Sequence, residues 1–352
     1  MYEQIGDGGF GTVWKAKSRT DKKMYAIKKI LIGTTSTVME IRNEIELQRK
    51  LESKFVVQLY NVFKDSSAYY LQLELAEGGD LFDLITSVKR PFSEDTARFY
   101  AAEILCALEY IHGKDIIFRD LKPENILLTK SGHIKIADFG SAMETHSKVI
   151  ATSYSGSQEY KPPEVVLGKP YNKNVDSWSL GLIIYIMLTK YHPFYEKNPF
   201  YANNTFRISE NIIKAKIIYD RKYFTMDAED LLKHLLDRNP VTRYNISQTK
   251  NHKWFIAENK TNWPKVENQE VWEKVTGYQL SFIPYINKKV VLGSMDTLCC
   301  ALFYSWILLR RFHTKNESGN TNGGTNGVVF VTSIASSVTQ TNLQLKNKRK
   351  TI

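Results

Sequence analysis

From Met1 to about Leu75 apolar and polar positions alternate in short runs, YEQI, GTVWKAK, KMYAIKKI, VVQLYNVF and AYYLQLEL, rich in β-branched and aromatic residues. That is the pattern of half-buried strands. One stretch breaks it: Val38, Ile41 and Ile45 fall at helical spacing with charges between them, which predicts a helix of about four turns over 38–51. AEGGD, Ala76 to Asp80, is a glycine-containing break, and beyond it DLFDLI, EDTARFYAAEILCALEYIHG, VDSWSLGLIIYIMLT and DAEDLLKHLL carry helical periodicity. The pattern predicts an α+β chain in two lobes, a small β-rich one over about 1–75 and a larger, mainly helical one over about 80–256. The apolar run Leu180 to Leu188 is too short to span a bilayer and follows Asp176, Trp178 and Ser179, so it reads as a buried core helix.

Composition adds limits. With 352 residues, 43% hydrophobic and 24% charged, the chain has room for one large or two moderate domains and is not disordered over most of its length. Cys106, Cys299 and Cys300 include no C-x-x-C spacing, which gives neither a disulfide framework nor a zinc site and fits a reducing compartment. Met1 to Gly11 is short, polar and glycine-rich rather than a secretory leader, so a cytoplasmic location is expected. In the last 43 residues Arg310, Arg311, Lys315, Lys346, Lys348, Arg349 and Lys350 stand against Glu317, which is +6 of the net +11. The rest is mildly basic with no basic stripe, which argues against a nucleic-acid partner.

After about Ala257 the composition shifts, predicting a divergent tail over 257–315 and a flexible polar and basic one over 316–352. NESGNTNGGTNG, Asn316 to Gly327, reads as an unpacked linker. VVLGSMDTLCCALFYSWILL, residues 290–309, carries one charge, Asp296, in 20 residues. It is long enough to cross a membrane, though a packed helix or a divergent tail explains it as simply. KNKRK, Lys346 to Lys350, reads as a solvated end, with contact to anionic lipid or a nuclear import signal as alternatives.

Chemistry concentrates in four places. GDGGFGTV places Gly6, Gly8 and Gly11 before Val13, and because Thr12 to Lys17 alternates like a strand and returns as Met24 to Ile30, the glycines sit in a hairpin. Its backbone amides can approach phosphates without a Cβ in the way. Lys28 in YAIK has Glu44 on the predicted helix as a partner, a cation at fixed geometry. FRDLKPEN, Phe118 to Asn125, is a proline-stiffened turn holding Asp120, Lys122, Glu124 and Asn125, and IKIADFG ends an apolar strand at Asp138. One fixed acid can accept a hydroxyl proton, and another, with an asparagine, can hold Mg²⁺ through oxygen ligands.

With these residues in view the sequence resembles the eukaryotic protein kinases over roughly residues 1–256. The match runs in order through Gly6-x-Gly8-x-x-Gly11-x-Val13, Ala26-Ile27-Lys28, Glu44, Arg119 to Asn125, Asp138-Phe139-Gly140, Pro162-Pro163-Glu164, Asp176-x-Trp178-Ser179-x-Gly181 and Arg243. The resemblance implies a bilobal kinase fold with ATP in the cleft. The glycine loop, including Gly9 and Phe10, covers the phosphates; backbone groups of Glu74 and Ala76 hold the adenine; Val13, Ala26, Leu73 and Leu127 line it, with Glu124 among the nucleotide contacts. It further implies that Lys28, partnered by Glu44, grips the α- and β-phosphates, that Asp138 and Asn125 bind Mg²⁺, that Asp120 orients and deprotonates the substrate hydroxyl, and that Lys122 neutralises the transferring phosphate. Glu164 and Arg243 are implied as a buried structural pair, with Asp176 as a further structural residue.

Lys122 together with Ser157 is similar to serine/threonine kinases, where that hydroxyl-bearing residue bonds the catalytic aspartate and lysine. Protein substrates with Ser or Thr are therefore expected. In KVIATSYSGSQEY, Ser153 occupies a common activating site, where a phosphate added by an upstream kinase or by autophosphorylation would pair with Arg119; Thr152 and Ser155 are the alternatives. The run RFYAAEILCALEYIHGKDIIFRDLKPENILL resembles the AGC group, and within it the phosphoinositide-dependent branch. Four positions depart from the family pattern. Phe118 replaces His or Tyr, Pro162 replaces Ala, Gln48 stands where an apolar residue packs on Phe139, and Ile186 stands where basic-directed members carry Glu, leaving Glu124 and Asp80 as the acids for a substrate arginine. Gln48, Phe118 and Pro162 support the second reading, a pseudokinase scaffold, whereas the complete set of Lys28, Glu44, Asp120, Asn125 and Asp138 supports transfer. Any membrane association would come through the tail.

Overall fold

The computed structural model describes residues 3–8, 11–33, 35–145, 155–195 and 205–256. Gly9, Phe10, Thr152, Ser153 and the whole of 257–352, with the apolar segment 290–309 and the basic end, lie outside the described residues.

Strands β1 (Glu3–Gly8), β2 (Gly11–Lys17), β3 (Met24–Leu31), β4 (Leu59–Lys64) and β5 (Ala68–Leu73) form one antiparallel sheet in the order β1-β2-β3-β5-β4. Gly8 pairs with Gly11 at the hairpin, and Val13 with Lys28. At Gly11 the backbone has φ +124°, and a Cβ there would sit 2.2 Å from the Lys29 carbonyl oxygen, so no larger residue closes this hairpin against β3. Helix α1 (Thr35–Arg49) crosses the sheet, packing Ile41 and Ile45 onto Ile30, Leu59, Tyr69 and Leu71.

Two boundaries differ from the pattern. The helix starts three residues before the predicted 38, and the Val56–Gln58 end of the predicted strand VVQLYNVF is not in the sheet. Val56 and Val57 instead turn toward the larger lobe, where the Val57 amide donates to the Ile136 carbonyl at 2.9 Å. A buried apolar run looks the same along the chain whichever lobe it joins.

The larger lobe follows as α2 (Leu81–Ser87), α3 (Glu94–Gly113), β6 (Ile116–Ile117), β7 (Ile126–Leu128), β8 (Ile134–Ile136), β9 (Met143–Glu144), α4 (Pro163–Val166), α5 (Asn174–Thr189), α6 (Thr205–Lys214), α7 (Met226–Leu235), α8 (Ile246–Lys250) and α9 (Lys253–Ile256). Asp80 caps α2 by accepting from the Asp83 amide, and Ser93 caps α3 by accepting from that of Thr96. From Val175 to Thr189 every residue of α5 except Ile186 is buried, so this helix is the lobe's centre, as its all-round apolar run predicts. Among the described residues no helix is long and apolar enough to cross a membrane.

The predicted Glu164–Arg243 pair forms in full. Arg243, 1% exposed, donates Nη1 to Glu164 Oε1 at 2.6 Å and Nη2 to Oε2 at 2.8 Å. Its guanidinium lies over Trp178, 5.1 Å from the ring centre, and its Nε donates to the Asp237 carbonyl. Glu164 lies in the first turn of α4, shortly after Ser157, which bonds Asp120 and Lys122, so the pair ties that segment to the helical core.

Candidate active site

Lys28 is 6% exposed on the central strand β3, and burying an ammonium there is costly unless it is paired. It is paired twice, with Glu44 Oε1 of α1 at 2.6 Å and with Asp138 Oδ1 at 2.9 Å. Burial works against its charge, but the two carboxylates outweigh it and hold the lysine protonated above its ordinary range. Sharing one cation splits the acids. Burial raises the Glu44 carboxyl despite Lys28, whereas for Asp138 the Lys28 ammonium outweighs burial and holds the carboxyl below the usual range. The Glu44 partnership was legible in the sequence; the contact with Asp138, 110 positions along the chain, was not.

Asp138 leaves β8 in the left-handed region, at φ 67°, and its carboxylate accepts from the Gly140 amide. The Lys28 and Gly140 contacts both fall on Oδ1, which leaves Oδ2 for a cation. Asn125, in the 3₁₀ turn Pro123–Asn125, spends its amide nitrogen on Asp120, at 2.9 Å to the carbonyl oxygen and 3.1 Å to Oδ2, which leaves its oxygen. Two oxygen donors suit Mg²⁺, which keeps waters and takes phosphate oxygens in preference to an all-protein cage. Among the described residues no cluster of three or more His, Cys, Asp or Glu side chains that could hold a metal ion occurs.

Asp120, 3% exposed, is held from three sides. Besides Asn125, Lys122 Nζ lies 3.1 Å from Oδ2 and the Ser157 amide donates to Oδ1 at 2.7 Å. Lys122 also donates to the Ser157 hydroxyl at 2.8 Å. Ser157 thus bonds both residues, the lysine through its hydroxyl and the aspartate through its backbone amide. Gly156 makes that approach possible. Its φ is +86°, and a Cβ there would lie 2.4 Å from the Arg119 carbonyl oxygen. Gly156→Ala is expected to push the Ser157 amide off Asp120 and cut kcat by at least tenfold at unchanged helix content by circular dichroism; wild-type kcat would refute the contact's importance.

The loop is fixed from below by Asp176, which accepts from the amides of Phe118 at 3.0 Å and Arg119 at 2.9 Å and meets His112 Nε2 at 2.7 Å. Arg119 is a further left-handed residue, φ 69°, whose side chain reaches the Ser141 carbonyl and the Tyr171 hydroxyl. His112, Ser141 and Tyr171 were missed by the sequence reading, because no periodicity or motif marks them. Phe118 packs edge-on against Phe139, ring centres 5.1 Å apart, as the resemblance implied for that position. Gln48 is buried, and its amide donates to the Val57 carbonyl at 3.0 Å.

On the nucleotide side, Ala26 pairs with Leu73 across β3 and β5, and Leu127 bridges Asp80. The Glu74 amide donates to the Gln58 carbonyl at 2.9 Å. Of the two acids expected for a substrate arginine, Glu124 is exposed. Asp80 is half-buried, and burial, then the Asp83 and Glu124 charges, push its carboxyl up to about 7 against the capping bond. A folded pKa above the unfolded one means that the native state holds the proton more tightly, so this contribution is full at acid pH and is lost as pH rises through about 7. Asp80→Asn keeps the cap acceptor without the charge, and its thermal midpoint should fall less than that of the wild type between about pH 5 and 8. Parallel slopes would remove Asp80 as the source.

A lysine bridging a helix carboxylate and a strand-end aspartate, beside a second aspartate fixed in a stiff loop, defines a phosphotransferase cleft of the protein kinase type. The protein kinase domain model matches residues 1–255, and the chain belongs to that family. Its relatives include the cAMP-dependent protein kinase type 3 of Saccharomyces cerevisiae, 39% identical over 77% of this chain and 65% of that protein. Others are the cAMP-dependent protein kinase catalytic subunit of Schizosaccharomyces pombe, 36% identical over 76% of this chain and 52% of that protein, and the cAMP-dependent protein kinase catalytic subunit PRKX of Homo sapiens, 34% identical over 76% and 73%. The chain thus spans between half and two thirds of the length of several of these proteins. The names place it among AGC-type kinases and lend no support to the phosphoinositide-dependent branch.

Proposed function

We propose that the chain transfers the γ-phosphate of ATP to serine or threonine hydroxyls of protein substrates. The observation that carries this reading is the double engagement of Lys28 with Glu44 and Asp138 while Asp120 is fixed by Ser157, Lys122 and Asn125. In this reading Lys28 grips the α- and β-phosphates, and the glycine hairpin covers them. The hydroxyl oxygen, aligned by Asp120, bonds to the γ-phosphorus as the bond to the bridging oxygen breaks; ADP leaves with that electron pair and Asp120 takes the proton. Lys122 offsets the charge on the moving phosphoryl group. Asp138 and Asn125 would hold Mg²⁺, which supplies charge neutralisation at the phosphates when bound. Because the transition state is loose, this positioning and charge compensation is most of the catalysis.

The scaffold reading drew on three residues, and each has a packing role. Phe118 fills the space against Phe139, Gln48 bonds Val57, and the Pro162 carbonyl accepts from the Val165 and Val166 amides at the start of α4. Transfer of radiolabel from ATP with Mg²⁺ to a generic protein substrate tests the proposal, with Asp120→Asn as control. Transfer no greater than that of the control would overturn it.

A further inference from the structure

The chain crosses between the lobes once, over residues 74–80, and each end of that crossing is clamped. At the small-lobe end Leu73 pairs with Ala26 and Leu59, and the Glu74 amide donates to the Gln58 carbonyl at 2.9 Å. At the large-lobe end the Gly78 amide donates to the Leu128 carbonyl and the Leu128 amide to the Gly79 carbonyl, both at 2.8 Å. A Cβ on Gly78 would lie 2.5 Å from the Thr129 carbonyl oxygen, so this end sits tight on β7. Leu75, Ala76 and Glu77, between the two clamps, are left as the pivot. Glu77 carries the charge there. Its Oε2 meets Lys130 Nζ, in the β7–β8 turn, at 2.7 Å, and its Oε1 meets Lys15 Nζ of β2 at 3.5 Å. The Lys130 bond, then the Lys130 and Lys15 charges, outweigh burial and hold its carboxyl below the usual range, so it is ionised at neutral pH. Lys15 is two residues from Val13 on β2 and shares its face of the strand, the face implied to line the adenine. A second pair, Glu74 with Lys135 of β8 at 3.0 Å, spans the same pivot.

Building on the kinase reading above, we propose that Glu77 is a positioning residue that latches the two lobes: anchored on Lys130 of the larger lobe, its carboxylate draws Lys15 of the smaller lobe down and holds the nucleotide cleft closed at its pivot edge. Lys130 and the clamped Gly78 belong to one body, so the Lys130 contact survives when the cleft opens. The Lys15 contact is the longer of the two and joins elements that then separate, so it is the one that opening breaks. With side chains 31% and 33% exposed, this pair shifts an equilibrium only a few-fold, and the Glu74–Lys135 pair remains beside it. The latch therefore tunes how long a nucleotide stays in the cleft. Product release limits turnover in many enzymes with closing lobes, so the step it governs is the departure of ADP.

The test uses the full chain and methylanthraniloyl-ADP with Mg²⁺, whose release is followed by stopped-flow fluorescence. Glu77→Gln and Lys15→Met are each expected to speed release about threefold at low salt, with KM for ATP raised and kcat not lowered. Raising salt from about 50 to about 500 mM should close the gap, because screening removes from the wild type what the substitutions have already removed. The double variant should release no faster than either single one. Wild-type release in either single variant would overturn the proposal, as would a gap that persists at high salt or additive effects in the double variant. A nucleotide-free measurement reads the lobes directly. With Cys299→Ser and Cys300→Ser, and Cys106 buried, spin labels are placed through Thr20→Cys on the β2–β3 turn and Lys169→Cys after α4, both exposed positions. Glu77→Gln should then lower the ratio of closed to open separations about threefold, and an unchanged distribution would overturn the latch. A wild-type chain that transfers no phosphate would defeat the kinase reading alone, because neither release nor the label separation needs turnover.

Discussion

Asp120→Asn is expected to lower kcat by roughly 10²–10⁴-fold, the range for loss of a positioned proton acceptor, with KM for ATP within about twofold of wild type. The substitution preserves shape. Its Oδ1 still accepts from the Ser157 amide, and the Asp120 main-chain carbonyl still receives the Asn125 amide. The Oδ2 side changes sign, because Lys122 and Asn125 Nδ2 then face an amide nitrogen in place of a carboxylate oxygen. Two donors lose their acceptor, the hydroxyl of the substrate loses its base, and Lys122 loses the anion that aims it. In the proposed mechanism ATP is gripped elsewhere, at Lys28, so nucleotide affinity is the internal control. Steady-state kinetics separate the two, and a variant turning over at the wild-type rate would take Asp120 out of the chemistry.

Arg243→Ala is expected to destabilise the larger lobe by about 3–5 kcal/mol, the cost of leaving one member of a buried ion pair without the other. Glu164 would remain buried as an uncompensated carboxylate, the Asp237 and Asn174 carbonyls would lose a donor, and Trp178 would lose the guanidinium over its face. For a domain of this size that is a drop of roughly ten degrees in thermal midpoint. The double variant Glu164→Leu with Arg243→Met should recover much of the loss, because removing both charges also removes the desolvation cost. A single variant melting within about two degrees of wild type would show that the pair contributes little.

The proposed catalytic residues could be picked out in the sequence because phosphoryl transfer needs particular side-chain types at short, rigid spacings, and these match the protein kinase motifs. Asp120, Lys122 and Asn125 sit within six positions, and the proline-stiffened turn that spaces them is itself a local feature. The helix bearing Glu44 announced itself through Ile41 and Ile45, whose partners on the sheet are the buried Ile30, Leu59 and Leu71. Where the reading fell short, the determinant was long-range. Val56 and Val57 alternate no differently from a sheet strand, yet they bond to β8. That Ser157 reaches Asp120 through its backbone amide, brought there by Gly156 at positive φ, is likewise visible only in the structure.

By itself, then, the sequence determined the two-lobed division, the identity of the charged residues at the cleft and the pairing of Glu164 with Arg243. The division follows from periodicity, whereas the charged set and the Glu164–Arg243 pair follow from motifs shared with the protein kinases. Only the tertiary structure decided how those charges share one another. Lys28 is divided between Glu44 and Asp138, Asp176, itself met by His112, accepts from the Phe118 and Arg119 amides, and Gln48 bonds α1 to the Val57 carbonyl. These contacts join residues from 9 to 110 positions apart, and a hydrogen bond at 3 Å is set by the packing of whole elements, which no local pattern records.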